Sequence, residues 1–227
     1  MTAGELGWGQ MPTDTALGLP VAASALPAQL RRCRRVVAIT VHLPEFLLAA
    51  SGLVQRLGAA GVRTDLLVAA AEPDPDEPDP DEPDADEPAE ERADGPAGDV
   101  IAAALGELRV PELVRHRLAL PAPIGADSAD DLLAGLSELV GFDPEPGVYC
   151  LAPAGDGVDP SQAIIGEAAE RIARVYRLRL VRYTATPDTA AAELDLDGQE
   201  WARKCAALAA CDTQATPLHG EREYFGL

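Results

Sequence analysis

Val36-Val37-Ala38-Ile39-Thr40-Val41, running into His42-Leu43-Pro44-Glu45, then an apolar stretch to Gly61, then Arg63 to Ala70, is the passage that decides the fold. Val36–Val41 is a short, continuous apolar run of the kind that fits a strand covered on both faces. Leu47 to Ala60 is expected to be helical, because Leu48, Leu53, Val54 and Leu57 recur at helical spacing. Gly61 suits the position just past a helix end, where a left-handed backbone is favoured. Arg63 to Ala70 is a second strand. Strand, helix, glycine and strand within about 35 residues make a right-handed βαβ unit, which requires a parallel sheet.

Moving outward, residues 1–30 are rich in Gly, Pro and Ala and weakly patterned, so they are expected to form a loosely ordered leader. Arg31, Arg32, Arg34 and Arg35 follow as a solvated basic flank to the first strand. On the other side, Glu72 to Gly98 is built of repeats such as Asp-Pro-Asp-Glu-Pro. Proline removes backbone donors and like charges repel, so residues 72–99 are expected to be a disordered acidic insertion in a single domain spanning 31–227. Beyond it, Val100 to Leu108 suggests a helix end and turn, and Val114 to Leu120 a strand. Asp127 to Val140 is helical, with Leu132, Leu133, Leu136 and Leu139 as its apolar stripe. Then come a strand at Val148–Ala152, a helix at Ser161–Tyr176, a strand at Leu178–Thr184 and a helix at Gly198–Ala210. Thr213 to Leu227 is expected to be an irregular tail. The alternation predicts an α/β protein: a three-layer α/β/α sandwich with a Rossmann-like, mainly parallel sheet of about five or six strands.

Charge narrows the partners. The formal net charge is −20, of which the stretch Glu72–Asp99 supplies −13 through 14 acids and one arginine. A surface of that sign repels nucleic acid and anionic membranes, so neither is expected as a partner. No window holds 18 continuous apolar residues and the start has no basic region before an apolar run, so the expected location is cytoplasmic. Cys33, Cys150, Cys205 and Cys211 form no CxxC pair and are expected to be buried or incidental thiols. No P-loop, G-x-G-x-x-G, G-x-S-x-G or H-E-x-x-H motif is present, so no nucleotide or redox cofactor is expected.

The candidate chemistry lies at strand ends, where α/β folds build their sites. His42 and Glu45 stand at a strand-to-helix corner, spaced to face one cleft either as metal ligands or as a hydrogen-bonded polar corner. Asp156 and Asp159 follow another strand and face the same rim, or else serve as turn and cap residues with Ser161. His116 and His219 lack clustered partners and are expected to be surface or packing residues.

These blocks resemble the PIG-L/LmbE family of zinc-dependent N-deacetylases, which act on N-acetylglucosaminyl conjugates and include enzymes of mycothiol metabolism. That family opens with a strand ending in His-Pro-Asp-Asp-Glu. Here the stretch is His42-Leu43-Pro44-Glu45-Phe46, followed by Ala49-Ala50-Ser51-Gly52. Its second block, His-Pro-Asp-His, is met by Asp159-Pro160-Ser161-Gln162. Its third, a Lys…Ala…Ser-Gln segment, is met in layout by Lys204, Ala207, Thr213 and Gln214. The similarity covers residues 33–225, with the acidic stretch as an insertion.

The resemblance implies that His42, Glu45 and Gln162 are the metal positions, for zinc. It also implies that Pro44 stands where the family has its general base, and Asp159 where it has the residue that steadies the oxyanion. A neutral amide is a much poorer zinc ligand than imidazole. Proline cannot accept a proton, and a carboxylate repels a developing oxyanion. Asp159 is then the remaining carboxylate able to act as a catalytic base, from the opposite wall. Three functions follow as expectations. The first is a catalytically degenerate deacetylase-fold protein that binds an amino-sugar-like ligand or regulates a partner. The second is an active metal-dependent N-deacetylase with an altered set of His42, Glu45, Gln162 and Asp156 or Asp159. The third is a non-catalytic interaction module that captures a protein partner through residues 72–99.

Overall fold

The computed structural model describes residues 26–71, 96–155, 159–185, 187, 190, 192–211 and 221–226. In chain order its elements are β1 (Arg35–Thr40), α1 (Leu43–Ala59), β2 (Arg63–Ala70), α2 (Pro96–Glu107), β3 (Leu113–Leu120), α3 (Ala129–Val140), β4 (Val148–Pro153), α4 (Pro160–Tyr176), β5 (Arg179–Thr184), β6 (Ala192–Asp195), α5 (Gly198–Ala210) and β7 (Arg222–Gly226). The strands form one sheet in the order β3-β2-β1-β4-β5-β7-β6. Pairing from β3 through to β5 is parallel throughout. Only β7 runs against its neighbours, β5 and β6. The α/β/α sandwich and the mainly parallel sheet are therefore the fold, as the βαβ spacing requires.

β1 is central: Ala38 pairs with Leu66 on one side and Leu151 on the other. Because side chains alternate across a strand, Val36 and Ala38 face a core shared with α1, α2 and α5. Val37 and Ile39 face a second core under α3 and α4. Both faces of β1 are thus apolar, which is why its sequence is a continuous run and not an alternation. Gly61, just past the end of α1, takes φ +77° and turns the chain into β2, as its position in the sequence implies.

Several expectations are corrected. α1 begins at Leu43, four residues before Leu47. Pro44 fits the first turn because the N–H it lacks has no helical partner there, and Glu45 is favoured near the positive end of the helix dipole. α2 begins at Pro96, so the last residues of the acidic stretch are helical; residues 72–95 lie outside the described residues. The sheet has seven strands, not five or six. The tail expected to be irregular supplies β7, and β6 is a short additional strand. Neither shows a clean apolar alternation, since β7 buries Glu223 between Arg222 and Tyr224. Within the described part of the leader, Ala28–Leu30 form one 3-10 turn and Leu30 is buried in the first core. Residues 1–25 lie outside the described residues. Arg31, Arg32 and Arg34 are exposed as a flank should be, but Arg35 turns inward to Asp65 at 2.7 Å and to the Leu139 carbonyl at 2.6 Å.

Cys33 and Cys150 are buried free thiols, and burial pushes each up to about 12. Cys205, within α5, and Cys211, its C-cap, are half-buried and form no disulfide. No helix among the described residues is long and apolar enough to cross a membrane.

Candidate active-site rim

Strand order changes direction between β1 and β4, because β2 lies to one side of β1 and β4 to the other. In open α/β sheets the crevice at such a switch point, beyond the carboxyl ends of the strands, is where ligands bind. Two strand-to-helix corners flank it, β1 into α1 and β4 into α4.

The two corners are built alike. His42 is the N-cap of α1 and Glu45 its third helical residue; Asp159 is the N-cap of α4 and Gln162 its third helical residue. Both helices carry proline in the first turn. The buried Thr40 hydroxyl donates to the His42 carbonyl at 2.8 Å and fixes the corner. His42 is extended, with φ −124° and ψ 152°, and its imidazole makes no capping bond. Glu45, in the first turn of α1, faces back toward the His42 backbone. At the other corner the Asp159 carboxylate accepts the Ser161 N–H at 2.8 Å, capping α4 in the ordinary way.

The corners meet where the Gln162 side-chain amide comes close enough to the Glu45 carboxylate to favour its charged form. All four predicted residues therefore stand on one rim: His42, Glu45, Asp159 and Gln162. Burial holds the Glu45 carboxyl above its ordinary range. The charge of nearby Asp159 adds to that rise, while His42 and Gln162 oppose it. Beneath the rim, Tyr183 at the end of β5 donates to the Ile39 carbonyl at 3.0 Å and stacks edge-on against Phe46 with centroids 6.0 Å apart. Burial raises its phenol, which therefore stays neutral, and the Glu45 charge pushes the same way. Sequence reading missed both Thr40 and Tyr183. The available signal was a polar residue near the carboxyl end of each apolar strand.

Asp156 lies outside the described residues, as does His219. His116 is drawn into a different cluster, with its Nε2 3.2 Å from Asp65. That carboxylate also takes Arg35 at 2.7 Å and Arg63 at 3.0 Å. The cluster lies toward the amino ends of the strands, away from the rim.

A catalytic zinc needs about three protein donors, deprotonated and free to bind, plus an open position for water. The rim supplies one imidazole, one carboxylate and one neutral amide. The carboxyl is part-buried, and burial raises its proton affinity. Among the described residues no group of three or more His, Cys, Asp or Glu is placed to hold a metal ion. One imidazole, one carboxyl and one neutral amide are a weaker set for zinc than three imidazole or carboxylate donors. The rim's chemistry is that of hydrogen bonding: an imidazole, a carboxyl with raised proton affinity, a carboxylate and an amide, set at the amino ends of two helices.

Among solved structures, the chain is similar to the conserved protein TT1542 from Thermus thermophilus, with a TM-score of 0.59 and 16% identity over 85% of this chain and 93% of that one. It is similar also to GalB, the 4-carboxy-2-hydroxymuconate hydratase of Pseudomonas putida KT2440, with a TM-score of 0.56 and 16% identity over 80% of each. A third is a triple mutant of the deacetylase Orf2*T of the teicoplanin biosynthetic pathway, with a TM-score of 0.55 and 16% identity over 79% of this chain and 82% of that one. The fold is PIG-L/LmbE-like. No family model and no curated protein matches the sequence. At this identity the likeness is one of fold alone. The PIG-L/LmbE-like frame carries a hydratase as well as deacetylases, so the reaction has to be argued from the rim residues themselves.

Proposed function

We propose that this PIG-L/LmbE-like protein uses the β1–β4 rim to bind a small polar, amino-sugar-like ligand and does not hydrolyse it. The single observation that supports this most is the donor set itself: one imidazole, one part-buried carboxyl and one neutral amide brought to one rim by the first turns of α1 and α4. Three further features agree. Pro44 stands where the resemblance implies a general base, and it has no proton acceptor. Asp159 spends one oxygen on its helix cap, and its charge would oppose an oxyanion. The rim is nevertheless rich in groups suited to hydroxyl and amide partners: the His42 imidazole, the Glu45 carboxyl and the Gln162 amide.

The test pairs binding with turnover. The protein, purified without added metal, is titrated with N-acetylglucosamine and glucosamine by calorimetry, and the same preparations are screened for acetate release with and without zinc. The expected result is saturable binding of one of these sugars that His42→Ala weakens about tenfold or more, with no acetate released. Zinc-dependent acetate release that His42→Ala abolishes would overturn the proposal in favour of an active deacetylase. Absence of binding to either sugar would overturn the amino-sugar reading.

A further inference from the structure

We infer that Lys204 and Glu223 are positioning residues: together they bind both backbone groups of one rung of the α1 hydrogen-bond ladder and thereby set the helix turn that carries His42 and Glu45. The inference rests on the proposed function only for which corner is the site.

In an α-helix the Gly52 N–H would bond to the Leu48 carbonyl four residues earlier. Here both groups are taken by side chains from elsewhere in the chain. Glu223 on β7 accepts the Gly52 N–H at 2.8 Å through Oε1. Lys204 on α5 donates to the Leu48 carbonyl at 2.5 Å through Nζ. The two side chains are themselves joined, Nζ to Oε1, at 2.8 Å. An amide, a carboxylate, an ammonium and a carbonyl therefore form a continuous bridge across the rung. The second carboxylate oxygen accepts the next N–H, that of Leu53, at 2.9 Å. Ser51, whose hydroxyl donates to the Leu47 carbonyl at 2.7 Å, lines the same opening.

Both charged side chains are fully enclosed, at 0% exposure. Charges removed from water are tolerated only when paired and saturated with hydrogen bonds, and these are. Gly52 makes the arrangement possible. A Cβ there would run into the Leu196 Cδ2 and lie 3.1 Å from Glu223 Oε2. A side chain inserted in the ladder is one of the few causes of a bend in a helix. The bridge spans residues 48 to 52, directly after the turn holding Glu45. It follows that α5 and β7, which contribute nothing to the rim itself, determine where the first turn of α1 points.

The test reads geometry and needs no ligand, so its outcome is independent of whether the proposed ligand is correct. Imidazole and backbone amide signals are recorded by NMR for the full chain and for Lys204→Met. Glu223→Gln, which keeps an acceptor oxygen, is the milder second variant. The expected result is a displaced His42 imidazole signal, together with displaced amide signals over residues 43–53. The His116 signal and those of α3 should be unmoved. Glu223→Gln should give the same pattern, smaller. A His42 signal coincident with that of the parent in a folded variant would overturn the inference. Equal displacement at His116 and in α3, or failure of both variants to fold, would also overturn it by assigning the pair to general stability.

Discussion

The two faces of the sheet are held together by different means. Under α3 and α4 the core is apolar, with Leu132, Leu136, Ile165 and Ile172 packed on Val37, Ile39 and Leu67. Its buried charge is Asp65 near the amino ends of the strands, whose partners Arg35 and Arg63 keep 27% and 51% of their side chains exposed. Under α1, α2 and α5 a similar apolar core is crossed by enclosed ion pairs. Lys204 and Glu223 are one. Arg56 and Glu200 are the other, at 2.8 Å and with 6% and 11% exposure, and Arg56 also bonds the Asp195 carbonyl. The difference teaches what each face must specify. Parallel strands and two amphipathic helices need only bury area, and many apolar side chains of the right size do that. The α1 face must also fix β6 and β7, two short strands that enter the sheet late. Directional, saturated charge contacts suit that task, because each has few satisfactory arrangements.

The largest test of this contrast is Lys204→Met, which leaves Glu223 enclosed without its cation. It should cost about 3–5 kcal/mol in urea unfolding, while adding Glu223→Leu should recover much of that loss. If the double variant is no better than the single one, the pair is not acting as a charged unit. On the apolar face Leu136→Ala should cost about 2–5 kcal/mol through the cavity it leaves. Because it lies across the sheet, its effect should add to that of Lys204→Met within about 0.5 kcal/mol. Strong coupling would show that the two faces are not separate. Gly52→Ala, forced against Leu196, should cost about 1–3 kcal/mol, a size that thermal melting resolves.

Acid sharpens the comparison from the other side. Burial alone would raise the Asp65 carboxyl, but hydrogen bonds from Arg35, Arg63 and His116 outweigh it and hold the group below its ordinary range. A carboxylate so held adds stability above its unfolded value of about 3.9, and that contribution is lost as pH falls through the folded value. The stability gap between the parent and Asp65→Asn should therefore be full at pH 7 and close below about pH 4. A gap that widens in acid would contradict the assigned partners. The smallest effect expected is at the rim, where Asp159→Ala removes the α4 cap and should cost about 1 kcal/mol.

How much of this was legible in the sequence follows from the same contrast. The continuous run Val36–Val41, the helical spacing that follows and Gly61 are local signals, and they were enough for the βαβ core and for the rim at its switch point. His42, Glu45 and Asp159 could be placed on one rim because each follows a parallel strand directly, while Gln162 entered only through the family resemblance. β7 was not legible, since Glu223 looks like a surface residue until Lys204 and the Gly52 N–H are brought to it from distant parts of the chain. The start of α1 was missed because the apolar recurrence begins only at Leu48, whereas the helix starts at Leu43 with Pro44 in its first turn. The approach of Gln162 to Glu45 was hidden for the same reason as β7: it brings together two corners more than a hundred residues apart. Long-range polar contacts leave no periodic trace.

The central proposal is that the rim holds a ligand through its own hydrogen-bonding groups and binds no catalytic zinc. Zinc content measured by elemental analysis, on untagged protein incubated with excess zinc and then desalted, tests it most directly, with His42→Ala alongside. The account predicts no stoichiometric zinc in either protein. Near-stoichiometric zinc in the parent that disappears in His42→Ala would contradict it.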